Sequence, residues 1–264
     1  MITPDVLHAK VLDLPRTHHG FTSRRGGVSQ GSFAGLNLSP KWFEDAGAVQ
    51  ENYRLLAEHA GYDAERLYIA HQVHGRRGVI VEGQPVADVR QQEADFLVTA
   101  QSGVTVAVIT ADCVPVLLAD RAQTAVAAVH AGWRGLVGGV IQEAVAALRD
   151  RFGVDPTTLV AALGPGIGAC CFEVGPEVVR QFETAFPDVE GIVRPGRIGE
   201  LGGDAKPHVD LWKGARLALE RAGLQPDRIE DPPACTMCEP ERFYSFRRDG
   251  GRIGQHLSFI GIAG

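Results

Sequence analysis

The sequence predicts an α+β fold, a mixed β-sheet with helices packed over it in a single domain spanning residues 1–264. Three patterns carry that expectation. Short β-branched apolar runs recur along the chain, four longer segments place apolar residues at helical spacing, and several neighbouring runs lie too close together for helical crossovers. In chain order, helical periodicity appears first at Ala46–Ala60. Strand-like runs follow at Leu67–Ala70, Gly78–Glu82 and Asp95–Thr99. Val104–Thr110, Val114–Ala119 and Thr124–Val129 succeed one another across a few residues each, so the sheet is mixed rather than purely parallel. A second helical pattern covers Leu136–Phe152, then come a strand at Thr158–Leu163 and a helix at Pro176–Phe186. After a Gly- and Pro-rich excursion near 195–207, a helix at Leu211–Ala222 opens behind Asp210, a residue type that caps helix starts. His256–Ile262 supplies the last strand.

Composition excludes several functional classes. With 45% hydrophobic and 22% charged residues the chain is that of an ordinary globular protein, not a disordered one. Lys plus Arg total 26 against 32 for Asp plus Glu, a formal charge of −6, and no basic tract exceeds a pair. Nucleic acid is therefore not an expected partner, because phosphate binding needs a concentrated positive face. A small anion held by a few arginines stays open. The longest apolar stretch, Val104 to Ala119, carries Asp112 in its middle, so no membrane span is expected. The amino terminus lacks signal-peptide architecture, and the expected location is cytoplasmic. Five cysteines, an odd number with Cys170 and Cys171 adjacent, read as free thiols rather than a disulfide framework.

Three polar residues end or interrupt apolar runs: His74 in LYIAHQVHG, Cys113 in VTVAVITADCVPVLLAD and His130 in TAVAAVHAGWRG. Two imidazoles and a thiolate suit Zn²⁺, and three protein ligands leave a fourth position for water or substrate, the catalytic rather than the structural arrangement. Isolated His and Cys in apolar runs also occur as plain core residues. If residues 71–74 are strand, alternation puts Gln72 and His74 on one face and His71 on the other, which nominates His74 as ligand and Gln72 as its pocket neighbour. A helical stretch would let both imidazoles face the site. Asp112 reaches the metal side only if the strand breaks there; otherwise it is a structural hydrogen-bonder.

Beyond His130 a Gly-rich turn with Arg134 leads into a helix and reads either as an anion pocket or as a tight turn with Trp133 as core filler. FTSRRGGVSQGSFAGLNLS carries Arg24 and Arg25 and reads as a loop folded over a site or as an ordinary solvated turn. After Leu163, a run of glycines brings Phe172 or Glu173 toward a pocket. Cys235-Thr-Met-Cys238 is half of a four-ligand zinc motif, and the chain has no second Cys-x-x-Cys. In SFRRDG either Arg247 or Arg248 can meet an anionic substrate or lie solvated in a turn.

Taken together, QVHG at 72–75, ADFLVT at 94–99, TADC at 110–113, VHAGWRG at 129–135, LGPGIG with CFEVG at 163–175, and SFRRDG at 245–250 resemble the YfiH family, once labelled a multicopper polyphenol oxidase or laccase domain. The resemblance runs from SRRGGVS at 23–29 nearly to the end. It implies a cytoplasmic zinc enzyme with His74, Cys113 and His130 as ligands, the same trio that the residues themselves pick out. It implies phosphorolysis of adenosine, inosine, guanosine and methylthioadenosine, and deamination of adenosine to inosine. Purine nucleoside and phosphate are the expected partners. Where relatives often carry an arginine after Thr-Gly in the last motif, this chain has Ile253-Gly254-Gln255.

On this reading Arg25 and Arg134 hold phosphate or ribose, Gln72 and Asp112 are candidates for proton relay, and the metal trio organises the reacting groups. Copper is the alternative metal and polyphenol oxidation the alternative chemistry. Nine histidines with no His-x-His pair, and Met237 as the one methionine after the first residue, argue against it. A cysteine hydrolase using Cys113 with His130 as base is a further alternative, and the name given to some relatives implies a role in peptidoglycan precursor editing.

Overall fold

The computed structural model describes residues 3–39, 45–187, 189–196 and 206–264. Most of the Gly- and Pro-rich stretch expected near 195–207 lies outside the described residues. In chain order the elements are β1 (Val6–Leu7), β2 (Thr17–Thr22), α1 (Ala46–Ala60), β3 (Leu67–Tyr68), β4 (Gly78–Val81), α2 (Val86–Arg90) and β5 (Phe96–Thr99). They continue with β6 (Val104–Thr110), β7 (Val114–Asp120), β8 (Val126–Ala131), α3 (Trp133–Gly138), α4 (Val140–Phe152), β9 (Leu159–Leu163) and α5 (Pro176–Ala185). The chain closes with β10 (Val193–Arg194), β11 (His208–Val209), α6 (Leu211–Arg221), β12 (Ile229–Glu230), α7 (Phe246–Asp249) and β13 (His256–Ile262).

The α+β class with mixed pairing holds, but the strands divide into two large sheets. One has the order β1-β2-β13-β6-β3 and the other β12-β9-β7-β8-β5-β4, with β10 and β11 forming a separate ribbon. Parallel pairs (β3 with β6, β4 with β5, β12 with β9) sit among antiparallel ones. The long apolar runs explain the architecture, because a strand covered on both faces is apolar at every position. In β6, Val104, Val106 and Val108 face the second sheet while Ala107 packs toward α1 with Leu36, Leu56 and Phe259. In β7, Leu117 and Ala119 face the first sheet, and Val114, Val116 and Leu118 face α3, α4, α5 and α6. The result is four layers: α1, sheet, sheet, helices.

Residues 111–113 carry the chain from β6 in the first sheet to β7 in the second. Asp112 makes that corner with φ 91, a conformation few non-glycine residues adopt. Cys113 follows it, and the change of sheet puts its side chain where both sheets end.

Local signals set the element limits. Asp45 accepts from Gly47 N at 2.9 Å and Gly61 takes φ 71, so α1 begins and ends where its periodicity does. Asp210 caps α6 through Lys213 N at 3.0 Å, as its position before the helix predicts. The expected helix Leu136–Phe152 is two helices, because Gly139 adopts φ 91 between α3 and α4. The expected strand Leu67–Ala70 is short: only Leu67 and Tyr68 pair, and residues 71–74 run as a loop touching β-structure at one bridge, His71 to Glu93. Strand β2 escaped sequence patterning because THHGFT carries two histidines and a glycine; it is nevertheless internal, paired to both β1 and β13.

Candidate metal centre and its cavity

Asp95, fully buried one residue before β5, is the hub from which the site is built. Its carboxylate accepts from three successive main-chain N–H groups, Val73 (3.4 Å), His74 (2.8 Å) and Gly75 (2.6 Å), and from His130 Nδ1 at 2.7 Å. The first three bonds hold the 73–75 turn, in which His74 takes φ 61. The fourth fixes the imidazole of His130, whose main-chain N–H also donates to the Asp95 carbonyl at 2.7 Å. One buried carboxylate thus positions two of the three candidate ligands, the arrangement in which a metal-binding histidine shows its other nitrogen to an anchoring carboxylate.

Cys113 arrives from the sheet-to-sheet corner. Ligand atoms of His74, Cys113 and His130 all lie within 4.8 Å of one another, and the two imidazoles meet edge to face at 4.8 Å between centroids. Gly132 faces the trio: a Cβ there would lie 2.9 Å from His74 Cδ2 and 3.1 Å from Cys113 Sγ. The absence of that carbon leaves room among the three donors. The donor set, two imidazoles and one thiol, suits a borderline-soft divalent ion, and no fourth ligand belongs to the group among the described residues. His130 is buried, Cys113 half-buried and His74 exposed, so the trio opens toward solvent on one side.

Electrostatics couple these groups. Burial alone would push the Cys113 thiol up, but the charge and hydrogen bond of His130, with His74 beside it, bring it down to about 6. Burial alone would push His130 down, but Cys113 and Asp95 raise it to about 9. Burial alone would likewise raise the Asp95 carboxyl, but its bonds to His130, Gly75 and His74 hold it below the ordinary carboxylate value. The protein therefore favours a thiolate, the form that binds metal or attacks carbon.

A cavity of about 880 Å³ opens over the trio. Its walls are largely apolar and aromatic, with Ile109, Ile167, Phe172 and Phe246 on one part and Val49 and Tyr53 of α1 on another. Phe246 is 51% exposed although it lines this space. Concavity, apolar walls and a few convergent polar groups are the usual form of a small-molecule site.

The other expected residues fall into two groups. Gln72 lines the cavity, yet both ends of its amide are engaged by the main chain of Ile109, at 2.7 Å each. Strand alternation does not explain its position, because residues 71–74 are not strand, and His71 lines the cavity too. Asp112 also lines it, and its two oxygens are taken by Thr236 Oγ1 (2.6 Å) and Arg247 N (2.7 Å), the structural alternative weighed for it.

Arg25 and Arg134, expected near the substrate, are not among the residues lining this cavity. Arg25 is exposed and donates to the Glu241 carbonyl at 3.1 Å, and Arg134 stacks 4.3 Å over the Trp133 ring. Within α3, Arg134 is exposed while Trp133 packs against the helix-side core and Leu136 is buried in it. Among the described residues, the arginines that line the cavity are Arg90 and Arg247. Arg247 stacks 5.0 Å from Phe172 and donates to the Glu173 carbonyl at 2.7 Å, while Arg248 turns to the carbonyls of Thr236 and Phe243. Asp95 and the α1 wall were missed by sequence reasoning. The available signal for Asp95 was a carboxylate opening an otherwise apolar strand.

Fold and site together define an α+β protein with an open three-ligand candidate metal centre at the floor of a small-molecule cavity. The chain belongs to the family described as multi-copper polyphenol oxidoreductase laccase, which it matches over residues 18–263; this is the YfiH-like family its motifs resemble. A solved structure titled YlmD from Geobacillus stearothermophilus superposes with a TM-score of 0.85 at 33% identity, covering 97% of this chain and 94% of that one. A Streptomyces coelicolor protein named purine nucleoside phosphorylase SCO2081 is 41% identical over 242 residues, 91% of this chain and 94% of its own length. A mouse protein, Mus musculus purine nucleoside phosphorylase LACC1, is 36% identical over 252 residues; they are 92% of this chain but 55% of the mouse protein, so the chain spans about half of that relative.

Proposed function

We propose that this chain is a metal-dependent purine nucleoside phosphorylase, with Zn²⁺ held by His74, Cys113 and His130, acting on adenosine, inosine, guanosine and methylthioadenosine in the cytoplasm. Deamination of adenosine is proposed as its second activity. The observation that carries the reading is the open His-Cys-His trio, anchored by Asp95, on the floor of a cavity walled by Phe172 and Phe246. A divalent ion bound there supplies Lewis acidity and a water of lowered pKa.

The remaining requirements fall on the chain's own residues. An aromatic wall stacks a purine base, and Phe246, half-exposed on the cavity, is placed for it. Phosphorolysis also needs an anion held against the sugar C1′, because the glycosidic bond breaks through a cationic state. Beside Arg25 and Arg134, Arg247, which lines the cavity, is a candidate for that role. Asp112 does not serve as a free proton relay, since both its oxygens are engaged.

A second reading has one observation in its favour. Cys113, His130 and Asp95 stand in the order of a nucleophile, its base and the carboxylate that orients it, the arrangement of cysteine hydrolases. The second imidazole at the sulfur, His74, is what a simple triad does not require. Copper oxidation of phenols is less favoured: two histidines and a cysteine are a blue-copper donor set, but its axial methionine is not supplied, since Met237 packs against the helix-side core.

One assay separates these readings. Purified protein is given inosine or adenosine with and without phosphate, beside metal analysis, and the same is done for Cys113→Ala. Ribose 1-phosphate and free base, dependent on phosphate and lost together with one metal equivalent in Cys113→Ala, is the expected result. Full turnover by metal-stripped protein, with Cys113 trapped by an electrophilic substrate analogue, would replace the phosphorylase with the hydrolase.

A further inference from the structure

The chain carries one Cys-x-x-Cys and one adjacent cysteine pair, and the fold brings the two together. Cys170 and Cys171 lie in the loop after β9, while Cys235 and Cys238 lie in the loop after β12. A bridge pairs Gly166 with Cys235, and Thr236 N donates to the Gly166 carbonyl at 3.0 Å. Within the first loop, Cys171 N and Phe172 N both donate to the Gly168 carbonyl, which folds the adjacent cysteines back toward the second loop. Space is tight at Gly168: a Cβ would lie 3.2 Å from both Cys170 Sγ and the Trp212 ring.

We infer that Cys170, Cys171, Cys235 and Cys238 form a second metal site, a closed tetrathiolate centre for Zn²⁺ separate from the cavity. Their four sulfurs lie within 4.8 Å of one another, with Cys238 Sγ 3.6 Å from Cys170 Sγ and 3.4 Å from Cys171 Sγ. Tetrahedral coordination at a zinc–sulfur distance of about 2.3 Å puts sulfurs about 3.8 Å apart, so little movement is needed to close on an ion. Gly168 N donates to Cys235 Sγ at 3.2 Å, the outer hydrogen bond that steadies a ligating thiolate. Arg248 donates to the carbonyls of Thr236 and Met237, setting a cation on the ligand loop where four thiolates and one dication leave net negative charge. Cys235 is buried, whereas Cys170 and Cys238 are exposed, which gives the ion an entry path.

Four protein ligands leave no position for substrate, so the centre is structural. Its effect reaches the cavity. The ligand loops also carry Ile167 and Phe172 on one side and Thr236, which bonds Asp112, on the other. An ion there ties the aromatic wall to the segment leading to Arg247. Binding transfers no electrons: Zn²⁺ displaces the thiol protons, which pass to solvent.

The test is independent of the nucleoside reading. Protein purified without chelator and then dialysed against excess Zn²⁺ is expected to hold two equivalents per chain, Cys113→Ala one, and Cys238→Ser one. Co²⁺ substituted into Cys113→Ala should give the intense thiolate charge-transfer bands of a four-sulfur site, which a weak surface site lacks. That spectrum is read on a variant whose cysteine cluster is untouched, so a misfolded Cys238→Ser protein would not obscure the answer. Zinc content in Cys238→Ser equal to that of the unaltered protein, absence of those bands, or a titration finding three free thiols in place of five, as a disulfide within the cluster would give, overturns the proposal.

Discussion

Asp95 receives four hydrogen bonds on one buried carboxylate, and two of the candidate ligands depend on it. Asp95→Asn keeps the shape but converts one oxygen into a donor facing N–H groups, so metal affinity at the trio should fall about 10- to 100-fold, read by chelator competition. Unchanged affinity would mean the turn and imidazole are fixed by other contacts. Two further histidines make stability depend on pH. Burial pushes His256 down to about 3, with Arg24 and Arg248 adding to the effect, although the Thr110 carbonyl bonded to its ring opposes it. Its Nε2 accepts from Tyr244 N at 3.0 Å, which fixes the neutral form. Burial, with His8 nearby, brings His19 to about 4, and its Nε2 accepts from Ala9 N. Between the ordinary value of 6.5 and about 4 the unfolded chain binds two protons that the folded one refuses. Stability from these groups is therefore complete above 6.5 and lost as pH falls, by about 1.4 kcal/mol per pH unit for each proton. Urea unfolding across that window should show the slope, and His256→Gln should remove one proton from it. At this scale the trio was legible because reactive side chains stood where apolar runs ended. The placing of Arg90 and Arg247 on the cavity was not, since sequence gives a residue's neighbours but not the direction a turn aims it.

Caps explain which elements could be read. Helix α1 matches its expected limits, Ala46 to Ala60, because Asp45 and Gly61 mark both ends. The break at Gly139 was hidden because apolar spacing runs on through it into α4, while only backbone conformation shows the interruption. Likewise LYIA reads as a strand by residue type, yet only its first two residues find a partner, because the chain must leave β3 to make the His74 turn. The Asp210 cap offers a quantitative check. Removing it in Asp210→Ala leaves a first-turn N–H without its acceptor and should cost about 1 kcal/mol, within the usual range of 0.5–2. The accompanying ion pair to Arg194, a half-exposed side chain, adds little. A fall in the urea midpoint without change of slope would agree; no fall would show that α6 is held by its packing against α3, α4 and the sheet alone.

The division into two sheets was the part of the fold that patterning could not supply. A strand buried on both faces looks alike whichever sheet it joins, so the runs at Val104–Thr110 and Val114–Asp120 gave no hint that the chain changes layers between them. That change of layer also determines what a metal does to the whole molecule. His74 lies in the connection from β3 of the first sheet to β4 of the second, Cys113 at the corner from β6 to β7, and His130 within β8. An ion shared by all three crosslinks the open end of the sandwich, and because the unfolded chain does not preform that geometry, binding energy becomes folding energy. A chelator should therefore lower the melting temperature of the unaltered protein. The drop should shrink in Cys113→Ala, whose trio is already broken, and the part that persists there should vanish when Cys238→Ser is added. Differential scanning calorimetry with and without chelator on these variants measures both contributions. If Cys113→Ala shows the full drop, the trio holds no ion that the fold depends on, and the sheets are joined at that end by apolar packing alone.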